Sequence, residues 1–347
     1  MTSNLTPLPT PGGKDYRVVK LRDFLADTDI RPRKELLGPW LAERGLVLLY
    51  APTGIGKSWF AAGVAAAVAS GGAFGGFQAE QPCRVLYIDG EMDPADLQSR
   101  LGMIAEATEG TNAELVAENV DLFARHHQPF AGPRFPNFGD PEDRSKILAL
   151  IRKHRPHLVI LDNLSTLSSV ADENAAEAWD PVLEVLQDIK RLGSAVLVVH
   201  HSNKAGGSYR GSSKIAVLFD TIMSLKTDPE ASIVNGASFL WTFEKARRLG
   251  VDMHKGVAGR LEDGRWTWDT RYDAELAKLV ALVRSHQFTT QGELAAYTGL
   301  STGEVSKRLS RADAAGLLSV EERKKCFQTA KDEVELMNEG VAGYAQF

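Results

Sequence analysis

Cysteine is nearly absent from this chain: two residues in 347, Cys83 and Cys326, far apart and in no CxxC pair. That excludes a disulfide framework and argues against a structural zinc site. Charge of one sign is not in excess either, with 40 Lys+Arg against 45 Asp+Glu and a net charge of −5. A uniformly basic nucleic-acid coat is excluded, while a local basic patch is not. No internal repeat or low-complexity tract occurs, and 44% hydrophobic with 24% charged residues excludes a disordered or collagen-like chain. Met1 to Gly13 holds no basic residue and no apolar run, so no secretory signal is expected there. One uncharged stretch, Phe60 to Phe77, touches the lower length limit for a membrane span. It is rich in Ala and Gly and broken by Ser70-Gly71-Gly72, so a buried core helix, no membrane contact and a cytoplasmic location are expected.

What is present is alternation. Short apolar runs at Leu46–Tyr50, Val85–Asp89, Val120–Phe123, Leu158–Asp162, Ala195–His200, Thr221–Leu225 and Phe239–Phe243 read as strands. Helical stretches lie between them at Ser58–Ala69, Pro94–Glu106, Glu142–His154 and Pro181–Leu192. Nearly continuous apolar strands alternating with helices predict an α/β fold with a mainly parallel central sheet covered on both faces. Gly259 to Trp268 reads as a hairpin turning at Asp263-Gly264. The expected organisation is a partly ordered leader over 1–29, an α/β core over 30–270 and a small domain over 271–347. In that last part an amphipathic helix (Tyr272–Ser285) precedes two capping boxes, Thr290 to Glu293 and Ser301 to Glu304. Leu317–Glu322 and Cys326–Ala330 then read as a strand pair, so the order is that of a winged helix-turn-helix.

The strongest local signal is Ala51-Pro-Thr-Gly-Ile-Gly-Lys-Ser58, which follows an apolar strand and opens a helix. It fits the phosphate-loop pattern GxxxxGK[ST] except for Ala51 in the first glycine position. Glycines let backbone N–H groups wrap phosphate oxygens, and the helix N-terminus adds its dipole. Thr53, Gly54, Ile55, Gly56, Lys57, Ser58 and Trp59 are therefore the candidate ATP contacts, with Lys57 supplying charge and Ser58 a magnesium ligand. Leu158-Val-Ile-Leu-Asp162 ends in the carboxylate expected to hold Mg²⁺ through water. Val85-Leu-Tyr-Ile-Asp89-Gly-Glu91 ends in two more; Glu91 is the candidate base that polarises water, with Asp89 supporting or on the metal side. The competing reading makes Asp89 a capping residue and Glu91 a solvated one. His200 and His201 end another strand, and only one of two neighbours on a strand can face the site.

These four motifs in order resemble the RecA-like P-loop ATPases, and within them the RepA-type replicative helicases of plasmids and phages. The resemblance spans roughly residues 30–270. It implies a homo-hexameric ring with ATP between subunits, Glu91 as catalytic carboxylate and His201 as γ-phosphate sensor. It also implies that the loop from Ser202 to Ile215 contacts DNA in the pore through Lys204, Arg210 and Lys214. Lys245-Ala-Arg247 resembles the Lys-x-Arg element that reaches a neighbour's γ-phosphate; a solvated basic turn is the plainer alternative. Beyond the resemblance lies the C-terminal domain. Its second helix, Thr302 to Ala315, would present Lys307, Arg308 and Arg311 to DNA, although winged helices also dock proteins. Two functions share all these motifs: a DNA-dependent ATPase of the replicative helicase type, and a nucleotide-switched DNA-binding regulator or loader that unwinds nothing.

Overall fold

In the computed structural model the described residues are 18–168, 177–202, 217–228, 236–248, 257–262, 264–269, 272–314 and 316–344. A short helix α1 (Leu21–Leu25) and a pair of small strands, β1 (Glu35–Leu37) and β2 (Leu41–Ala42), lead into β3 (Leu46–Ala51). The central strand β3 is flanked by β9 (Ala195–His201) and β10 (Thr221–Thr227), both parallel to it. Parallel pairing continues outward from β9 through β8 (Leu158–Asp162) and β6 (Val85–Asp89) to the edge strand β7 (Val120–Ala124). On the other side an antiparallel meander of β11 (Ala237–Ala246), β12 (Val257–Glu262) and β13 (Arg265–Asp269) completes nine strands. Two further short strands, β4 (Ala73–Phe74) and β5 (Phe77–Gln78), form a separate hairpin. The seven strands expected from the sequence are all present, as is the hairpin around Gly264, whose φ of 72° suits glycine.

Both faces of the sheet are buried, which is why its strands are apolar without alternation. Val47 and Leu49 of β3 face one core; Leu46, Leu48 and Tyr50 face the other. The first core is built on α2 (Lys57–Ser70), flanked by α3 (Pro94–Ala107) and α4 (Ala113–Asn119). The second is built on α5 (Arg144–His154), the single turn α6 (Leu164–Leu167) and α7 (Asp180–Arg191). Twelve of the fourteen residues of α2 are buried, so this helix has no polar face because sheet, hairpin and helices surround it. Among the described residues no helix is long and apolar enough to cross a membrane.

Four helices follow: α8 (Tyr272–Arg284), α9 (Gln291–Thr298), α10 (Thr302–Ala314) and α11 (Val320–Tyr344). The three helices expected here are present as α8 to α10, which share a cluster around Leu279, Leu294, Val305 and Leu309. The expected wing is corrected: where a strand pair was read, α11 continues for 25 residues. The cause is a third capping box. Ser319 accepts the Glu322 N–H at 3.0 Å, and Cys326 and Ala330 then fall one turn apart on the buried side. Arg311 needs a second correction. Expected to face DNA, it is buried and paired at 3.6 Å with Asp228, at the end of β10, which also takes Arg260 at 2.9 Å. It lies on a different face of the helix from Leu309, and that face is turned to Asp228 rather than to solvent.

Two outcomes follow in denaturant titration. Replacing Asp228 with Ala leaves two guanidinium groups together at a buried site and should cost about 3–5 kcal/mol, whereas Arg311→Met should cost less, since Asp228 keeps Arg260. Gly63 in mid-α2 would place a Cβ 2.2 Å from the Phe74 ring, itself held by Phe60 and Trp268. Gly63→Ala gains about 1 kcal/mol of helix propensity but adds an overpacking cost of about 1–3 kcal/mol, so a lower midpoint is expected.

Candidate functional site

The parallel strands end at one edge of the sheet, and the candidate residues gather there. Between β3 and α2 the chain turns through Gly54 (φ 84°) and Gly56 (φ 111°), conformations that a side chain would strain. Gly56 is doubly required, since a Cβ there would stand 2.7 Å from that of Ala237. The N-terminus of α2 has no side-chain cap, so its first N–H groups and its dipole face the loop's concavity. Lys57 is buried, and its ammonium donates to the carbonyls of Ala51 (3.0 Å) and Pro52 (2.8 Å), folding the loop around itself. A ring of donors with one ammonium at its centre binds polyphosphate.

Opposite the loop stand the carboxylates. The register of β6 against β8 pairs Asp89 with Asp162. Asp162 is buried, accepts the Tyr87 hydroxyl at 2.6 Å and is hydrogen-bonded by Ser58. Burial pushes its pKa upward, and the two hydroxyl groups partly oppose that shift. Asp89 is buried too, and burial raises its pKa. Its Oδ1 accepts the N–H groups of Glu91 (3.1 Å) and Met92 (2.9 Å). Asp89 thus builds the turn that projects Glu91, while the helix that follows is capped by Asp93 and not by Asp89. Glu91 is exposed at the cavity, its carboxylate held by the Asn163 amide at 2.5 Å.

The histidine pair divides as strand geometry requires. His201 is level with Ala51, its Nδ1 3.4 Å from the Thr53 hydroxyl. His200 points into the opposite core, edge-on to Trp179 at 5.5 Å. Loop, carboxylates and His201 line one cavity of about 410 Å³, a size that ligand sites share. Sequence reasoning missed six of its residues: Met92, Asp93, Asp96, Arg100, Asn163 and Gly236. Arg100 of α3 lies over the Trp59 ring at 4.3 Å; Asn163 holds Glu91; Gly236 directly precedes β11. Their signals were slight: Arg100 is one helical turn past Asp96, Asn163 adjoins Asp162, and Asn235-Gly236 is a turn pair.

The other expected residues are not at this cavity. Lys245 and Arg247 sit at the far end of β11, whose register puts Lys245 level with Ile222 and Leu48, near the opposite edge of the sheet. Arg247 is half-exposed and reaches Asp220 at 3.4 Å. Burial and the Arg247 guanidinium lower the Lys245 pKa. On α10, Lys307 is exposed and Arg308 bonds Glu304 at 3.0 Å. Lys204, Arg210 and Lys214 lie outside the described residues.

The AAA domain family AAA_25 matches residues 15–207, more than half of the chain and every motif from the phosphate loop to His201. The chain belongs to that family. Its fold is similar to that of the KaiC-like protein PH0186 from the hyperthermophilic archaeon Pyrococcus horikoshii OT3, at 13% identity and a TM-score of 0.46, covering 67% of this chain and 93% of that one. It is also similar to the RadB recombinase, at 20% identity and a TM-score of 0.44, covering 65% and 91%. No curated protein matches the chain. As an AAA_25 member with this loop and these carboxylates, it is a P-loop ATPase, and the cavity is its candidate nucleotide site. Lys57→Ala removes the central charge and should weaken binding of a fluorescent ATP analogue about 10- to 100-fold, the worth of one charged hydrogen bond.

Proposed function

We propose that this AAA_25 protein is an oligomeric, DNA-dependent ATPase of the replicative helicase type, with ATP held between subunits of a homo-hexamer. The observation that carries the reading is the division of parts. The cavity holds a phosphate loop, Asp162 and Glu91, while Lys245 and Arg247 stand near the opposite edge of the same sheet. A cation so placed serves a neighbour's site better than its own, and it makes turnover depend on assembly.

Glu91, fixed by Asn163, faces the cavity where a water would attack, and it takes that water's proton. The donor set fits Mg²⁺. Ser58 and Asp162 offer hard oxygen atoms, Tyr87 orients the carboxylate, and no cluster of three or more His, Cys, Asp or Glu suited to a metal occurs among the described residues. When bound there, the ion neutralises phosphate charge. His201 reads the γ-phosphate from beside Thr53. Its strand runs straight into the segment with Lys204, Arg210 and Lys214, which would follow the phosphate backbone of single-stranded DNA.

A second reading, an ATP-switched regulator or loader without unwinding, draws on the C-terminal helices. With Arg311 turned into the core and α11 in place of a wing, only part of the expected DNA face is outward, and Lys307 is its exposed cation on α10. Unwinding of a forked duplex with ATP supports the first reading; an ATP-dependent oligomer that binds DNA without unwinding supports the second.

Complementation tests the shared site. Glu91→Gln should lower kcat by about 10²–10⁴ with nucleotide affinity kept, and Arg247→Ala should lower it about 10³-fold. Mixing the two proteins restores about one interface in four if each site draws Glu91 and Arg247 from different copies. ATPase activity should then rise above that of either variant alone. A mixture no more active than its parts would remove Arg247 from the neighbour's site.

A further inference from the structure

The single turn α6 meets Glu91 and the turn that carries it at two places. Asn163 caps the helix, with its Oδ1 accepting the Thr166 N–H at 3.2 Å. That bond fixes the amide, so its nitrogen is the end that reaches Glu91, at 2.5 Å. One carboxylate oxygen of Glu91 therefore meets a donor. The second contact is with Gly90, which has no room for a side chain. A Cβ there would stand 2.3 Å from the Thr166 hydroxyl oxygen and 2.9 Å from Leu167. The φ of Gly90 is not positive, so this contact, and not backbone conformation, is what requires glycine. The Gly90 N–H also donates to the Asp162 carbonyl at 2.8 Å, which ties the ends of β6 and β8 together.

Four residues cannot hold a helix by themselves, so the place of α6 is set by what binds its ends. Its last carbonyls are taken by groups that do not line the nucleotide cavity. Thr166 O accepts the Arg125 guanidinium at 2.5 Å, and Leu167 O accepts the Phe138 N–H at 2.9 Å. Arg125 directly follows the edge strand β7. Its guanidinium lies 5.1 Å from the Phe135 ring, which stacks on Phe123 at 4.4 Å. The chain between Phe135 and Phe138 is pinned in turn by Asp143, a fully buried carboxylate that accepts the Asn137 N–H at 2.8 Å and pairs with Arg134 at 2.7 Å.

We propose that α6 is the positioning element of the base that activates water, with Asn163, Gly90 and Arg125 as its positioning residues. Asn163 restrains the Glu91 carboxylate, the bare face of Gly90 lets α6 close on the turn, and Arg125 keeps α6 seated through Thr166 O. A base must stay within hydrogen-bond reach of the water whose proton it takes, and an error of about 1 Å costs about 10²-fold in rate. Glu91 is exposed on a long side chain, so without the amide it spreads over several rotamers. Turnover is thereby set in part by Gly90, Thr166 and Arg125, which line no part of the nucleotide cavity. The inference rests on Glu91 being the base, as proposed above, and names what holds it in register.

The test uses steady-state ATPase assays of the full chain beside binding of a fluorescent ATP analogue. Asn163→Ser separates the residue's two roles, because serine caps a helix as well as asparagine does but is too short to reach Glu91. The urea midpoint should therefore match the parent's, and analogue affinity should stay within about twofold, while kcat falls about 10- to 100-fold. Gly90→Ala pushes α6 off the turn and Arg125→Met removes the donor to Thr166 O, so each should lower kcat about 10-fold with analogue affinity kept. Parent-like kcat in Asn163→Ser, or in both of the other variants, overturns the proposal. So does a fall in kcat matched by an equal loss of analogue affinity, which would place Asn163 in nucleotide or metal binding. Glu91→Gln distinguishes this failure from that of the reading beneath it. If Glu91→Gln keeps the parent's rate, the base is misassigned and the proposal falls with it; if Glu91→Gln is inactive while Asn163→Ser turns over like the parent, positioning by α6 alone fails.

Discussion

The site depends on one register. Parallel pairing sets Asp162 level with Asp89 and His201 level with Ala51, so the ends of four strands converge on the turn that opens α2. A slip of one residue in any of those pairs would send a carboxylate or the imidazole into a hydrophobic core, since successive side chains point to opposite faces. The register is held by apolar side chains on both faces, and its consequence is electrostatic. Two carboxylates are taken out of water side by side, and burial raises the pKa of each, with Asp89 adding to the rise at Asp162. Tyr87, Ser58 and the backbone N–H groups of the Asp89 turn return part of that cost. What remains uncompensated is negative charge facing donors at a helix N-terminus, an arrangement that a polyphosphate with its cation completes.

The same constraint explains α2. A helix whose N-terminus must face the loop has to run back beneath the sheet, and here it is enclosed by α3, α4 and an aromatic cluster of Phe60, Phe74, Trp241 and Trp268. Small residues are the solution to close approach on every side. Ala61, Ala62, Ala65, Ala66, Ala67 and Ala69 let neighbouring elements come near, and Gly63 admits the Phe74 ring. The uncharged run that has the length of a membrane span is thus the signature of a helix buried all round within a protein.

Most of this architecture was legible because its periods are strong. Seven apolar runs bounded by turn residues gave the main strands, and the phosphate loop announced the strand-to-helix turn that carries it. Legibility failed where tertiary contact outweighs local pattern. Strands β1, β2, β4 and β5 are two or three residues long and exist through their partners, so no period could show them. Arg100 and Asn163 reach the cavity only because α3 folds back over the loop and α6 is capped beside β8. The wing was misread for a different reason: Leu317 to Ala330 lacks β-branched alternation, and Ser319 with Glu322 starts a helix as Thr290 and Ser301 do with theirs.

The burial of Arg311 has its own physical origin. Helix α10 packs on α8 and α9, and where it meets the end of β10 an Arg must find a carboxylate or remain uncompensated. Asp228 is that carboxylate, with a fully buried side chain, and it directly follows β10, where the connection to β11 begins. At the other end of the same connection Gly236 lines the nucleotide cavity, and its φ of 138°, with Leu261 O 1.9 Å from any Cβ, fixes it as glycine. A buried pair is weak as a source of net stability but strict about position, because neither charge tolerates losing the other. Displacement of the C-terminal helices must therefore move Arg311 away from Asp228 or carry the end of β10 with it.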